Sequence, residues 1–304
     1  MSLNLVDKIN DCLRLYPDRK LTAREIALWV VKSYPEACRE KQERSMAEAV
    51  PLDSEMALVK QIAGEIGSSR PRAQKKYPGI KTTEGRPRRY YYTPTSDSDE
   101  VKEVESEENS LKEHDLYPLL ADFLRAELAV LVKRIDERRA SNTRGVNGNK
   151  WLYPDLVGVE NLSEDWNREI KDCVREYADK RTKLWSFEVK MLVNRSNVRE
   201  VFFQTISNSS WANFGYLVAK EIEGADTLKE LRLLTSLHGI GFIKLDIDNP
   251  SESQIMIPAR ERMEIDWGAA NRLTEENPDF LDYIKRIRQF YQTGDLRPHD
   301  WLGG

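Results

Sequence analysis

The stretch Leu184-Trp-Ser-Phe-Glu-Val-Lys-Met-Leu-Val193 constrains the fold more than any other part of the chain. Its β-branched and aromatic content and its alternation predict a strand. A period of two places Trp185, Phe187, Val189, Met191 and Val193 on one face. Ser186, Glu188 and Lys190 then share the other. A carboxylate and an ammonium inside an otherwise apolar strand are costly to bury unless their desolvation is offset. Two explanations remain open at this point. The pair sits on the exposed face of an antiparallel strand, or it belongs to a site that needs both charges side by side.

Asp155 bears on that choice. It follows Pro154 and opens the apolar run Leu156-Val157-Gly158, which predicts a second strand. Two carboxylates on adjacent strands can hold Mg²⁺, a hard ion that prefers oxygen ligands and keeps several waters. Such an ion stabilises charge on a phosphate and helps generate hydroxide. A lysine beside it can orient or deprotonate the attacking water and add positive charge where the transition state is negative.

The wider pattern supports a common domain. From Ser110 onward the periodicity reads helix, strand (129–132), strand with Asp155, strand with Glu188 and Lys190, helix (197–208), strand (214–220), helix (228–237), strand (240–246). A hairpin partner at 254–257 and helices at 267–275 and 278–292 complete it. Pro154-Asp155 followed by Glu188-Val189-Lys190, in this order of elements, resembles the PD-(D/E)xK, or restriction-endonuclease-like, nuclease superfamily over residues 110–246. That resemblance implies an α/β fold with an αβββαβ core, its mixed sheet flanked by helices. It implies Asp155 and Glu188 as Mg²⁺ ligands, with Mn²⁺ as a substitute, and Lys190 as their catalytic partner. Two accessory positions follow from the same resemblance. Gln204, on the helix after Glu188-Val189-Lys190, matches the glutamine that Mrr-like and Holliday-junction-resolvase-like relatives carry near the site. Glu113 matches an additional upstream acid used by some families at the metal. A surface glutamine and a capping glutamate are the competing explanations, and His114 reads as a packing or surface residue.

Composition narrows the chemistry further. The chain has 304 residues and three histidines, His114, His238 and His299. Its three cysteines, Cys12, Cys38 and Cys173, are far apart and odd in number, against a disulfide scaffold or a cysteine zinc site. A reducing cytoplasm is the expected setting, and no apolar run approaches a membrane span. The Gly- and Asn-rich loop 138–150 offers cations near Asp155 but lacks the phosphate-loop pattern.

The net charge of −4 is unevenly distributed. Residues 1–93 carry +6, residues 94–110 carry −6 and residues 111–304 carry −4. The middle piece, rich in Ser, Asp and Glu, is expected to be a flexible acidic linker between two domains. In the first, helices are expected at 3–15, from Thr22 (a capping box with Glu25), and from Asp53 to a stop at Gly67-Ser68-Ser69. Arg70, Arg72, Lys75, Lys76, Lys81, Arg86, Arg88 and Arg89 follow, with only Glu84 opposing them, on and around a predicted hairpin. Phosphate contacts need such a density, whereas tyrosines packed on the helices beside a solvated basic hairpin are the alternative. Leu21–Trp29 and the Arg-Tyr-rich strand resemble the HARE-type winged helix, an α+β domain. The whole arrangement resembles HrgA-type restriction-associated proteins.

The expected function is therefore an Mg²⁺-dependent DNA endonuclease in restriction or anti-phage defence. Its winged helix would bind DNA, and a methyltransferase or another defence protein could serve as partner. A DNA-binding regulator with a non-catalytic nuclease-like domain is the main alternative, and an RNA nuclease differs only in substrate. The apolar stripe of residues 278–292 fits either a core or a homodimer contact.

Overall fold

A computed structural model describes residues 3–44, 54–106, 111–141, 149, 151–177 and 180–303. The chain forms two compact units. The first comprises Met1–Glu100 with Glu223–Ala225, and the second Val101–Ile222 with Asp226–Gly304.

The first unit contains α1 (Leu5–Leu15), α2 (Ala23–Ser33), α3 (Pro35–Glu43) and α4 (Glu55–Lys76). Strands β1 (Leu21–Thr22), β2 (Ile80–Thr83) and β3 (Arg89–Tyr92) form an antiparallel sheet in the order β1-β3-β2. The expected capping box is present: Thr22 accepts from the Glu25 amide, and Glu25 accepts from the Thr22 amide. Ile9, Leu13, Ile26, Val30, Ile62 and Ile66 meet in the core. Two expectations for α4 need correction. Asp53 lies outside the described residues, and Ser54 caps the helix by accepting from the Ala57 amide. Nor does the helix stop at Gly67: it runs through Pro71 to Lys76, because Ile62, Ile66 and Ala73 continue one buried stripe. Packing of that stripe outweighs the hydrogen bond that proline removes.

The acidic segment differs from the flexible linker expected at 94–110. Residues Asp97–Ser106 form helix α5, and residues 107–110 lie outside the described ones. Ser96 accepts from the Asp99 amide, and Asp97, Asp99 and Glu100 occupy the first turn, where the helix dipole favours negative charge.

The second unit is a mixed α/β domain with six strands, β4 (Val130–Arg134), β5 (Leu156–Asn161), β6 (Thr182–Val193), β7 (Phe214–Ile222), β8 (Gly241–Lys244) and β9 (Gln254–Ile257). They lie in sequence order across the sheet. The β6–β7 and β7–β8 pairs are parallel and the others antiparallel. Helix α6 (Leu116–Leu128) packs Leu120 and Leu124 against one face, with Phe187, Val189 and Val218. The opposite face carries α8 (Val198–Asn208), α9 (Ala225–His238), α10 (Trp267–Glu276) and α11 (Pro278–Thr293) through two further clusters. Helix α7 (Arg168–Glu176) lies in the β5–β6 connection. Val193 departs from the expected face and packs with α8 and α9. The α11 stripe is core: Phe280, Tyr283, Ile287 and Phe290 are all buried.

Candidate functional site

Strand β6 is interior to the sheet and covered on both sides, so the exposed-face explanation for Glu188 and Lys190 fails. Glu188 is 1% exposed. Leu156 pairs with Phe187 in the antiparallel β5–β6 ladder, and the Asp155 amide donates to the Phe187 carbonyl at 3.1 Å. Asp155 itself lies just before β5, where that ladder ends, and its carboxylate accepts from the amide of Val189, the residue after Glu188. Two carboxylates 33 positions apart in the sequence thus meet at one site.

Each carboxylate is held by specific donors. Asp155 Oδ1 accepts from the Tyr117 hydroxyl at 3.0 Å, and Oδ2 from the Val189 amide at 2.7 Å. Glu188 Oε1 accepts from Lys190 Nζ at 2.6 Å, and Oε2 from Asn208 Nδ2 at 2.5 Å. Lys190 Nζ also reaches Glu113 Oε2 at 3.4 Å. Glu113 lies in the short 3₁₀ turn Glu113–Asp115 that precedes α6. Its neighbour His114 is exposed and faces Asp115.

Burial, then the nearby Asp155 charge, pushes the Glu188 carboxyl up to about 8 and that of Glu113 up to about 7, against the pull of Lys190. Burial opposes the Lys190 ammonium, but Glu188, Asp155 and Glu113 together outweigh it and hold the proton well above the ordinary lysine range. Burial and the same two carboxylates, Asp155 and Glu113, also raise the Tyr117 hydroxyl, so it remains a donor.

Three carboxylates around one ammonium leave an excess of two negative charges. Protons can neutralise it, and so can one divalent cation. The donors are all oxygen, as a hard ion requires, and each Asp155 and Glu188 oxygen keeps a lone pair beyond the hydrogen bond it accepts. Asn208 Oδ1 adds a buried acceptor with no hydrogen-bond partner. The residues therefore fit Mg²⁺ or Mn²⁺ in donor chemistry. Asp155, Glu188 and Glu113 do not, however, form a group with all ligand oxygens within 4.8 Å. Among the described residues that spacing belongs to Asp97, Glu100 and Glu223, all of the first unit. Those three already surround the Lys81 ammonium, which lies 2.8 Å from Asp97, 3.4 Å from Glu223 and in contact with Glu100.

Gln204 is half-buried on α8, and no hydrogen bond joins it to the site. The side chain from α8 that touches Glu188 is Asn208, one turn further on. Sequence reading missed it because an asparagine at a helix end is an ordinary terminator. Tyr117 was missed because nothing in the sequence says what its hydroxyl would meet. A cavity of about 380 Å³ lined by Thr182, Leu184, Trp267, Ile287 and Tyr291 contains none of the acidic site residues. Of the 138–150 loop, residues 142–148 and 150 lie outside the described ones.

The eight basic residues of the first unit divide into two groups. Arg70 and Arg88 pair with the buried Glu84, Lys76 with Asp7, and Lys81 with the acidic trio. Arg72, Lys75, Arg86 and Arg89 are exposed. Among the described residues Arg72 and Lys75 meet no carboxylate, and Arg89 donates to the Lys20 carbonyl. Tyr90 and Tyr91 are buried, and Tyr92 lies under the Arg14 guanidinium, so the tyrosines serve packing.

No helix among the described residues is long and apolar enough to cross a membrane. No family model, curated protein or solved structure matches the chain.

Proposed function

We propose that the second unit is a metal-dependent phosphodiesterase of the PD-(D/E)xK kind, acting on DNA. In this proposal the first unit is a HARE-like winged helix that holds the duplex. The observation carrying the proposal is the convergence of Asp155 on the Val189 amide beside Glu188, with Lys190 bonded to both Glu188 and Glu113. Asp155 and Glu188 would hold Mg²⁺ or Mn²⁺, with Glu113 at its edge. Bound there, the cation would polarise the scissile phosphate and lower the pKa of an attacking water. The Val189 amide and Tyr117 hydroxyl orient Asp155, so its carboxylate needs no rearrangement before use. Lys190 keeps its proton in this surrounding, which favours a cationic role at the phosphate over a role as base.

In the first unit, four helices and a small antiparallel sheet with an accessible set of arginines and lysine support phosphate binding. Restriction or anti-phage defence is the proposed setting, with a methyltransferase-type partner to mark self DNA. One observation favours a second reading, a DNA-binding regulator with a silent nuclease-like domain: Glu188 is almost fully enclosed, and both its oxygens already have partners. Incubating supercoiled plasmid with the full chain and Mg²⁺ or Mn²⁺ separates the two. Nicking that is lost in Asp155→Asn supports the enzyme; plasmid binding without nicking in either metal supports the regulator.

A further inference from the structure

We infer that Asn208 is the positioning residue of the Glu188 carboxylate, fixing its rotamer and completing the oxygen surroundings of the cation. This rests on the metal-site reading above. Asn208 is fully buried and is the last residue of α8. Its Nδ2 donates to Glu188 Oε2, the oxygen that Lys190 does not take. The carbonyl of Asn208, a helix-end acceptor with no partner inside the helix, accepts from Ser186 Oγ at 3.2 Å and Trp211 Nε1 at 2.8 Å. Ser186 is two residues before Glu188 on the same strand and the same face, so α8 is pinned to the strand it serves. A carboxamide held this way has little freedom to follow Glu188 elsewhere.

The other end of the same amide is informative. Asn208 Oδ1 is buried with no hydrogen-bond partner. An unpaired buried acceptor destabilises the fold, and a well-packed apolar residue of similar size would avoid that cost. A polar residue here makes physical sense if the acceptor is used by something that binds. Magnesium-type ions keep several waters and need acceptors around their carboxylate ligands. Residues that orient metal-bound carboxylates in this way commonly change metal affinity by about 10–100-fold when removed.

The test is Mn²⁺ binding by the full-length protein, followed from the electron paramagnetic resonance signal of free Mn²⁺. Wild type, Glu188→Gln, Asn208→Leu and Asn208→Ser are compared, with thermal melts run in parallel. Leucine matches the shape without polar atoms; serine is too short to reach Glu188 and is small enough to be tolerated if leucine is not. Glu188→Gln is expected to lose binding, and both Asn208 variants to weaken it about tenfold or more. Nicking by the Asn208 variants should then need correspondingly more Mn²⁺ yet recover most of its rate at saturation. A general packing defect would not produce that split. If Glu188→Gln loses Mn²⁺ while both Asn208 variants bind within about twofold of wild type, well short of the change expected of a positioning residue, the inference is wrong. If Glu188→Gln binds like wild type, the metal-site reading itself fails and takes this inference with it.

Discussion

Glu188 carries most of the tension in this molecule. Its carboxyl is raised by burial and by Asp155, so in the metal-free protein the folded state holds a proton that the unfolded chain releases nearer the ordinary glutamate value of 4.5. Stability from that proton is fully present below the unfolded value and is lost as pH rises through about 8. Glu113 has the same sign, with its raised value at about 7. The melting temperature of the metal-free protein should therefore fall between about pH 5 and pH 8, and Glu188→Gln should flatten that slope. Added Mg²⁺ should recover several degrees at the upper end of that range and little at the lower, since a ligand bound only by the folded state adds stability. Thermal melts across the range, with and without Mg²⁺, check both statements. Lys190→Met removes the ammonium next to this buried carboxylate. Breaking a buried pair can cost about 3–5 kcal/mol, and protonation of Glu188 relieves part of that cost. The variant should therefore lose more stability at the alkaline end than at the acid end; an equal loss at both would mean that Lys190 does not interact with an ionised Glu188.

At the scale of elements, β6 and its neighbours were legible because a strand's period of two sorts side chains by face. Glu188, Lys190 and Ser186 were placed correctly relative to one another from sequence. Asp155 could be related to them only through the order of elements, and its meeting with the Val189 amide beside Glu188 depends on how the chain enters β5, which sequence does not state. Asn208 and Tyr117 were hidden because their roles depend on which helix covers which face. Helix α5 was hidden by composition: a run of acids reads as solvated chain, although Ser96 and the first-turn acids are also a helix start. The basic residues show the same limit. Sequence counted eight cations as one patch, whereas the fold gives Arg70, Lys76, Lys81 and Arg88 acidic partners. Two kinds of variant should therefore behave differently. Removing Arg72, Lys75, Arg86 and Arg89 together should weaken DNA binding and lower the salt slope, by up to about 0.9 for each phosphate no longer neutralised. Arg88→Ala, leaving the buried Glu84 with Arg70 and the Thr82 hydroxyl, should instead lower stability by about 1–3 kcal/mol. Binding isotherms at several salt concentrations, with denaturant melts of the same proteins, distinguish charge at a DNA surface from charge used inside the fold.

For the whole molecule, the net charge of −4 conceals the organisation. The basic excess lies in residues 1–93, part of it offset within the first unit by Asp97, Glu100 and Glu223 around Lys81. The second unit concentrates three carboxylates around one ammonium, an arrangement suited to a divalent cation and a phosphate. A DNA-holding unit joined to a cutting unit would explain both features in one chain. The most direct measurement is conversion of supercoiled plasmid to nicked and linear forms by the full-length protein in Mg²⁺ and in Mn²⁺. Wild type should cut, a chelator should stop it, and Asp155→Asn, with a wild-type melting profile and unchanged plasmid binding, should reduce the rate by about 10²-fold or more. Cutting by Asp155→Asn at the wild-type rate, or wild-type protein that binds plasmid and leaves it intact in both metals, would contradict the proposed nuclease.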